Sequence, residues 1–350
     1  MSNETAIKPG TQMDKMEMMF TEISSDGVLT ARQAGLVLMA VFLLVAGGWS
    51  AGHAMGQADR GGEVRFNMAT YNIFYHTPPE HPNSWEQRRE HVASLIRFHD
   101  IAIWGSQEGV HNQLQDLREM LGYEYVGVAR DDGDTLGEHS AIVYDPARFE
   151  ALDSGTFWLS KTPDRPSMDW GVNYHRICTW GKFRHRESGA EFIIYNVHFD
   201  HESQEARENS SRMVLEHIDG EHPGMHGGEA GGMPDGVPDW VSGGVPEGMP
   251  VVLMGDLNAV PGNPAYEKVM DHGLFRDAKL VSEAPPHGPP GTFNGFDINR
   301  SPDRRIDYVF VSDHFEVHRY GVLTDTYLHE GRLRFPSDHF PVMTEVTLRP

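Results

Sequence analysis

The chain has almost no cysteine and far fewer basic than acidic residues. Cys178 is the single cysteine among 350 residues, so no internal disulfide can form and thiolate sites for soft metals are excluded. Twenty-nine Lys and Arg against 51 Asp and Glu give a formal net charge of −22. Such a surface repels phosphate backbones at long range, which argues against a protein that tracks long nucleic acids. We interpret Cys178 as a small buried apolar residue.

No stretch of the chain reaches the ~20 apolar residues that a membrane-spanning helix usually needs. Residues 34–48 come nearest, with Arg32 before them and small residues up to Ala58 behind them. We therefore predict a polar N-terminal segment over residues 1–33 and a signal peptide or membrane anchor over residues 34–58. The run is short for an anchor and the acidic start is poor for a signal peptide, so both interpretations stay open. Either one predicts export to the periplasm or the exterior, free or held at the membrane.

Beyond residue 60 the sequence reads as a globular domain, in a chain that is 39% hydrophobic and 10% aromatic. Alternating apolar and polar positions predict strands, and apolar positions at helical spacing predict helices. In the first helix Arg88, Arg89 and Glu90 are expected on the face opposite the apolar one. The strands are expected at residues 64–75, 101–108, 123–129, 140–144, 156–159, 176–184, 191–198 and 251–255, and the helices at residues 85–99, 111–121 and 202–218.

Residues 219–250 differ from their surroundings because they are rich in glycine and proline. Their apolar residues follow neither the spacing of a strand nor that of a helix. We predict that they form a flexible surface insertion within a single catalytic domain over residues 64–350. His222 and His226 in this insertion are interpreted as solvated loop histidines rather than as metal ligands.

Three segments place polar side chains at the edge of short apolar runs, as strands do where they end at the rim of a sheet. They are residues 251–258, 305–310 and 336–342, which contain Asp256, Asn258, Asp307, Asp338 and His339. Carboxylate and amide oxygens are ligands that suit Mg²⁺, Mn²⁺ or Ca²⁺. The segments therefore predict a site for a hard metal ion, with a histidine for acid–base chemistry.

Six motifs follow one another along residues 64–348. They are Asn72, Gln107-Glu108, Asn196-Val197-His198, Gly255-Asp256-Leu257-Asn258, Arg305-Ile306-Asp307-Tyr308 and Ser337-Asp338-His339. Their order resembles that of the endonuclease/exonuclease/phosphatase superfamily, which includes DNase I, neutral sphingomyelinases and deadenylase-type exoribonucleases. The resemblance implies an α/β fold, the four-layer α/β/β/α sandwich of two mixed sheets with outer helices. It also implies hydrolysis of phosphodiester bonds with a divalent metal ion.

The same resemblance implies the residues that hold the metal and the water. Asn72, Glu108 and Asp338 are expected around one Mg²⁺, with Mn²⁺ or Ca²⁺ as alternatives. Asp256 and Asn258 lie two residues apart and are expected to orient the attacking water and a phosphate oxygen. Whether Asp256 also touches a second metal ion stays open.

Two histidines are implied as acid–base groups. Asp307 is expected to fix the tautomer of His339, and either His339 or Asp256 takes the proton of the water. His198 is expected to act as the transition-state donor or general acid. Its partner is expected to be Glu138, which lies just before a predicted strand.

The substrate is predicted less sharply than the chemistry. Arg176 opens a predicted strand and is a candidate clamp for a phosphate, with a surface salt bridge as the alternative. Phe74 stands where apurinic-type endonucleases carry Asp, which disfavours that branch of the family. We expect a monomeric, exported phosphodiesterase that acts on nucleotides, oligonucleotides, or lipid or glycan phosphates. A deadenylase-type 3′-5′ exoribonuclease, a sphingomyelinase-like enzyme and an inactive binding module of the same fold are the alternatives.

Overall fold

The structure, a computed structural model, describes residues 63–220 and 244–349. Within these ranges the chain forms strands and helices in alternation. The strands are β1 (Val64–Asn72), β2 (Ile101–Gln107), β3 (Glu124–Val126), β4 (Ile142–Tyr144), β5 (Phe149–Trp158), β6 (Ile177–His185), β7 (Glu191–His198), β8 (Val251–Asp256), β9 (Arg276–Asp277), β10 (Asp307–Val311), β11 (Phe315–Val322), β12 (Tyr327–His329), β13 (Arg332–Arg334) and β14 (Val342–Leu348). The helices are α1 (Trp85–Phe98), α2 (His111–Leu121), α3 (Gln204–Asp219), α4 (Pro264–Asp271) and α5 (Ala278–Val281).

The strands form two mixed sheets and a small hairpin. The first sheet has the order β11-β14-β1-β2-β4-β3, the second has the order β5-β6-β7-β8-β10-β9, and β12 pairs with β13. The pairs β1–β2 and β7–β8 are parallel, whereas the other neighbours in the two sheets are antiparallel. Each parallel pair therefore ends at one rim of its sheet, which is where such sheets carry their functional residues.

The two sheets pack against each other and carry helices on their outer faces. Met68 of the first sheet and Met254 of the second belong to one apolar cluster between the sheets. On the outside of the first sheet Trp104 packs with residues of α1 and α2. On the outside of the second sheet Leu253 packs with residues of α3 and α4, in a cluster that also buries the free Cys178. The predicted four-layer α/β/β/α sandwich is confirmed.

The predicted helices are present within two residues of their expected bounds, but one of their side chains lies elsewhere than predicted. Arg88 of α1 was expected on the polar face, and it is fully buried instead. Its Nη1 donates to the carbonyl oxygens of Ile73 at 2.7 Å and Pro336 at 2.8 Å, and its Nη2 donates to that of Phe74 at 3.1 Å. Arg88 thus connects the end of β1 to the loop before β14. Its side chain is buried because the carbonyl oxygens that it binds lie inside the domain.

Three predictions fall outside the described residues. They are the polar segment at residues 1–33, the signal peptide or anchor at residues 34–58, and most of the insertion, including His222 and His226. For residues 63–220 and 244–349, none of the helices combines the length and the apolar character that crossing a bilayer requires.

A buried amide joins the two sheets close to their common rim. Asn196 of β7 donates from Nδ2 to the carbonyl oxygens of Ser106 and Ala141 in the first sheet, at 2.9 Å each. Its Oδ1 accepts a hydrogen bond of 2.7 Å from Gln107 Nε2, which also contacts Thr70 Oγ1 at 3.0 Å. These directional bonds fix how the sheets are placed, because each polar group would lose a partner if the sheets shifted.

We expect Gly105→Ala to disturb this junction and to lower the free energy of unfolding by about 2 kcal/mol. A Cβ at position 105 would lie 2.5 Å from Asn196 Oδ1 and 3.0 Å from Met254 Cγ, so the amide would have to move. Gly321→Ala, also in a strand, is the control, since its Cβ would meet nothing closer than His287 Cβ at 3.7 Å. Chemical denaturation measures both variants, and equal stability of the two would contradict the role of the junction.

Candidate active site

Strand register brings the predicted residues to one rim. His198 of β7 lies opposite Asp256 of β8, and Asp256 lies opposite Asp307 of β10. In the first sheet Asn72 ends β1, and Glu108 directly follows the neighbouring β2. Residues that are far apart in the sequence therefore meet where strands of both sheets end.

Asn72 holds two carboxylates with its amide nitrogen. Its Nδ2 lies 2.9 Å from Glu108 Oε1 and 3.2 Å from Asp256 Oδ2. Its Oδ1 accepts the backbone N–H of Phe74 at 3.1 Å, which fixes the orientation of the amide. Asn72 stays a predicted metal ligand; in this structure its nitrogen faces the two carboxylates and its oxygen accepts from the backbone.

The backbone adopts unusual conformations at the rim. Glu108 has a φ of 62° and Asn258 has a φ of 48°, values that residues other than glycine seldom adopt. Gly255 has a φ of 144°, and a Cβ there would lie 2.0 Å from Val197 O. Asn258 donates its backbone N–H to Asp256 Oδ1 at 2.8 Å. Strain of this kind persists where the surrounding contacts hold a functional side chain in place.

His339 and Asp307 form the predicted pair. His339 Nδ1 donates to Asp307, 2.9 Å from Oδ2 and 3.2 Å from Oδ1, so Nε2 is the nitrogen free for chemistry. Nε2 lies 3.8 Å from Asp256 Oδ2. Burial opposes a charge on His339, but the carboxylates of Asp307 and Asp256 hold the pKa of His339 well above its ordinary value.

His198 lies between Asp256 and Glu138, but the predicted hydrogen bond to Glu138 is not formed. His198 Nδ1 is 3.9 Å from Glu138 Oε2, and His198 Nε2 is 3.7 Å from Asp256 Oδ2. The Glu138 oxygen accepts a bond of 2.7 Å from Arg130 Nη1 instead. Burial, with the charges of Arg176 and Arg130, lowers the pKa of His198 well below its ordinary value. The correction follows from competition, since Arg130 is a stronger partner for the carboxylate than a neutral imidazole.

The carboxylates at the rim fit a divalent cation. Asp256, Asp307 and His339 present ligand atoms that all lie within 4.8 Å of one another, a grouping that can hold a metal ion. Asp307, however, already binds His339 Nδ1 with its carboxylate. Burial and Asp307 raise the pKa of Asp256 to about 7, and burial also raises that of Asp338 to about 7, with Glu108 adding to it. Asp256 and Asp338 are therefore carboxylates whose charged form a cation would stabilise, and Glu108 lines the same cavity.

These groups line a cavity of about 660 Å³. Its remaining lining is aromatic and basic, and it includes side chains for which the sequence suggested no role. Those side chains are Tyr75, Arg130, Tyr174, Phe293 and Arg304. Arg176, the predicted phosphate clamp, also lines the cavity, although it is 96% buried and bonded to Asp200 at 3.3 Å and His201 at 3.0 Å. Arg130 stands in an irregular acidic loop, and no periodicity or motif marked it in the sequence.

Comparison with known proteins gives related sequences and structures. The sequence model of the Endonuclease/Exonuclease/phosphatase family matches residues 69–339. An endonuclease/exonuclease/phosphatase family protein from Bacteroides thetaiotaomicron is 36% identical over 82% of this chain and 99% of its own, with a TM-score of 0.72. A mannosyl-6-phosphatase from the same species is 37% identical over 80% of this chain and 99% of its own, with a TM-score of 0.70.

A curated relative with a different described activity aligns more weakly. The 3′-5′-exoribonuclease subunit Ccr4 of the CCR4-Not complex from Aspergillus niger is 24% identical over 334 residues. The alignment covers 81% of this chain and 50% of that protein. The chain thus spans about half the length of the curated relatives it matches.

We expect Asp307→Asn to lower the pKa of His339 and to reduce kcat by about 10²-fold or more, because the imidazole loses the carboxylate that orients it and stabilises its charge. An NMR titration of the His339 ring and steady-state kinetics measure the two effects. Asp325→Asn is a matched control, since Asp325 binds His99 Nε2 at 3.1 Å and neither residue lines the cavity. A kcat unchanged in Asp307→Asn, or equally reduced in both variants, would contradict the assignment.

Proposed function

The chain belongs to the Endonuclease/Exonuclease/phosphatase family, and from that premise we propose that it is a divalent-metal-dependent hydrolase of phosphoester bonds. The observation that carries the proposal is the meeting of His198, Asp256 and His339 in one cavity. The Nε2 atoms of both histidines lie within 3.8 Å of the same Asp256 oxygen. Burying charged groups in this way lowers stability, and catalysis explains why the protein keeps them. An inactive binding module would not need this arrangement.

Glu108 and Asp338 would hold the cation, with Asn72 as the third predicted ligand, and we propose Mg²⁺, with Mn²⁺ or Ca²⁺ as alternatives. When bound, such an ion polarises a phosphoryl oxygen and offsets the negative charge that develops on it. Asn72 keeps the Glu108 carboxylate in place through Oε1, and the backbone N–H of Tyr75 does so through Oε2 at 3.2 Å. The protein thus fixes the donor oxygens before substrate arrives.

The remaining residues position the water and move its proton. Both oxygens of Asp256 are oriented by donors, Oδ1 by Asn258 and Oδ2 by Asn72, so the carboxylate faces the cavity in a fixed direction. In our proposal Asp256 accepts the proton of the attacking water. His339 donates from Nε2 to a phosphoryl oxygen, and Asp307 holds its tautomer. His198, on the other side of Asp256, donates a hydrogen bond to the leaving oxygen.

For the substrate we propose a phosphate ester of a sugar or a similar small polyol. The cavity of about 660 Å³ suits a small molecule, and a net charge of −22 disfavours long nucleic acids. The similarity to a mannosyl-6-phosphatase over nearly the whole of that protein supports the same class. Phosphodiester hydrolysis, as predicted from the sequence, is the second candidate, and the similarity to an exoribonuclease favours it.

We expect Glu108→Ala and His339→Ala each to lower kcat/KM by at least about 10²-fold, and a chelator to abolish activity. The assay measures release of phosphate from mannose 6-phosphate and of nitrophenol from bis-p-nitrophenyl phosphate, with and without added Mg²⁺. Glu283→Ala and His318→Ala are matched controls, because these residues belong to a second Glu/His grouping outside the cavity. Turnover that is independent of metal would refute the proposal, as would full activity of both cavity variants.

We also propose that the catalytic domain is exported, on the basis of the apolar run at residues 34–48. Expression of the full gene with a C-terminal tag, followed by fractionation and N-terminal sequencing, tests this. A mature N-terminus near residues 55–60 in the exported fraction is expected if the segment is cleaved. Membrane-bound protein that begins before Arg32 would indicate an anchor, and active cytosolic protein that retains the run would exclude export.

A further inference from the structure

The guanidinium of Arg130 lies in the cavity wall, and hydrogen bonds within the protein use only some of its N–H donors. The residue is 9% exposed, and its Nη1 donates to Glu138 Oε2 at 2.7 Å. Its guanidinium lies over the ring of Tyr174, 5.3 Å from the centroid. Its Nε has no hydrogen-bond partner in the described part of the chain, since Asp131 Oδ1 is 3.9 Å away. Arg130 is therefore held in place but keeps unused donor capacity.

Arg176 shows the same combination of burial and an unused donor. Its Nε and Nη2 contact Asp200 and His201, whereas its Nη1 is buried without a hydrogen-bond partner in residues 63–220 and 244–349. A buried N–H without an acceptor is unfavourable, so two of them in neighbouring arginines are unusual. Both arginines also line the cavity, where a ligand rich in acceptor oxygens would offset their charge.

The two arginines also repel each other beside His198. Both line the main cavity, and both line a small void that His198 and Glu138 share. Burial lowers the pKa of Arg130, and the positive charge of Arg176 lowers it further. An anion in the main cavity beside both guanidinium groups would offset this repulsion, and His198, the histidine assigned to the leaving oxygen, lines the same cavity.

We infer that Arg130 and Arg176 form a clamp for a phosphate dianion and that Arg130 makes this site select phosphomonoesters over phosphodiesters. The inference rests on the proposed function, because it concerns the substrate of the same site. A phosphomonoester has three non-bridging oxygens and two negative charges. One oxygen can then face the cation held by the carboxylates, and the other two can each accept from one of the arginines. In a diester one of those oxygens carries a second organic group and one charge is missing, so one guanidinium loses its acceptor.

The test compares p-nitrophenyl phosphate with methyl p-nitrophenyl phosphate, two esters that share a leaving group and differ in one methyl. With Mg²⁺ present, Arg130→Met should lower kcat/KM for the monoester by about 10²-fold and for the diester by less than about 10-fold. Arg130→Lys should recover part of the loss, because it restores the charge without the planar fork. Calorimetric binding of inorganic phosphate should weaken by at least about 10-fold in Arg130→Met.

Arg118→Met is the matched control, since this exposed arginine of α2 pairs with Glu124 at 2.8 Å, does not line the cavity and should change the cleavage of neither ester. Equal losses on both esters in a stably folded Arg130→Met would overturn the inference, as would unchanged binding of phosphate. A wild-type protein that cleaves neither ester would count against the proposed function. The phosphate titration would then still decide the role of Arg130.

Discussion

The site depends on how the two sheets are aligned at the rim. The buried side-chain amide of Asn196 aligns them by hydrogen bonds from one sheet to the other. Apolar packing between the sheets has no preferred register, so it cannot by itself align strand ends to within the length of a hydrogen bond. Asn196 adds three directional bonds, to Ser106, Ala141 and Gln107, and Gly105 leaves room for it. Asn72 and Glu108 of the first sheet are thereby brought within reach of Asp256 of the second.

At the same rim two histidines have neighbours of opposite charge, which shift their pKa values in opposite directions. His339 faces Asp307 and Asp256, whose charges favour its protonated form, whereas His198 faces Arg130 and Arg176, whose charges disfavour it. The histidines lie at similar distances from Asp256 Oδ2, so their difference comes from the residues behind them. Environments that push the pKa values of two histidines apart allow one site to hold imidazoles with different properties.

Loops next to the strand ends also position residues of the site. The buried Arg88 binds carbonyls from the end of β1 and from the loop before β14, and so it fixes the backbone that presents Asn72 and Asp338. The acidic loop that contains Arg130 and Glu138 bridges to Val110 and thus lies beside Glu108. Substrate selection belongs to these loops rather than to the sandwich, because the core positions chemistry that many phosphoester hydrolases can share.

The local pattern of the sequence determined where many of the strands and helices lie and which polar residues stand at the strand ends, because period and strand-end chemistry are local properties of the chain. The four-layer sandwich was predicted from the family resemblance rather than from that pattern. That resemblance also paired Asp307 with His339 correctly. Tertiary structure alone decided which partner each shared group takes. Arg130 rather than His198 binds Glu138, Asn72 turns its nitrogen to the carboxylates, and Arg88 is buried, since each outcome reflects competition among groups distant in sequence.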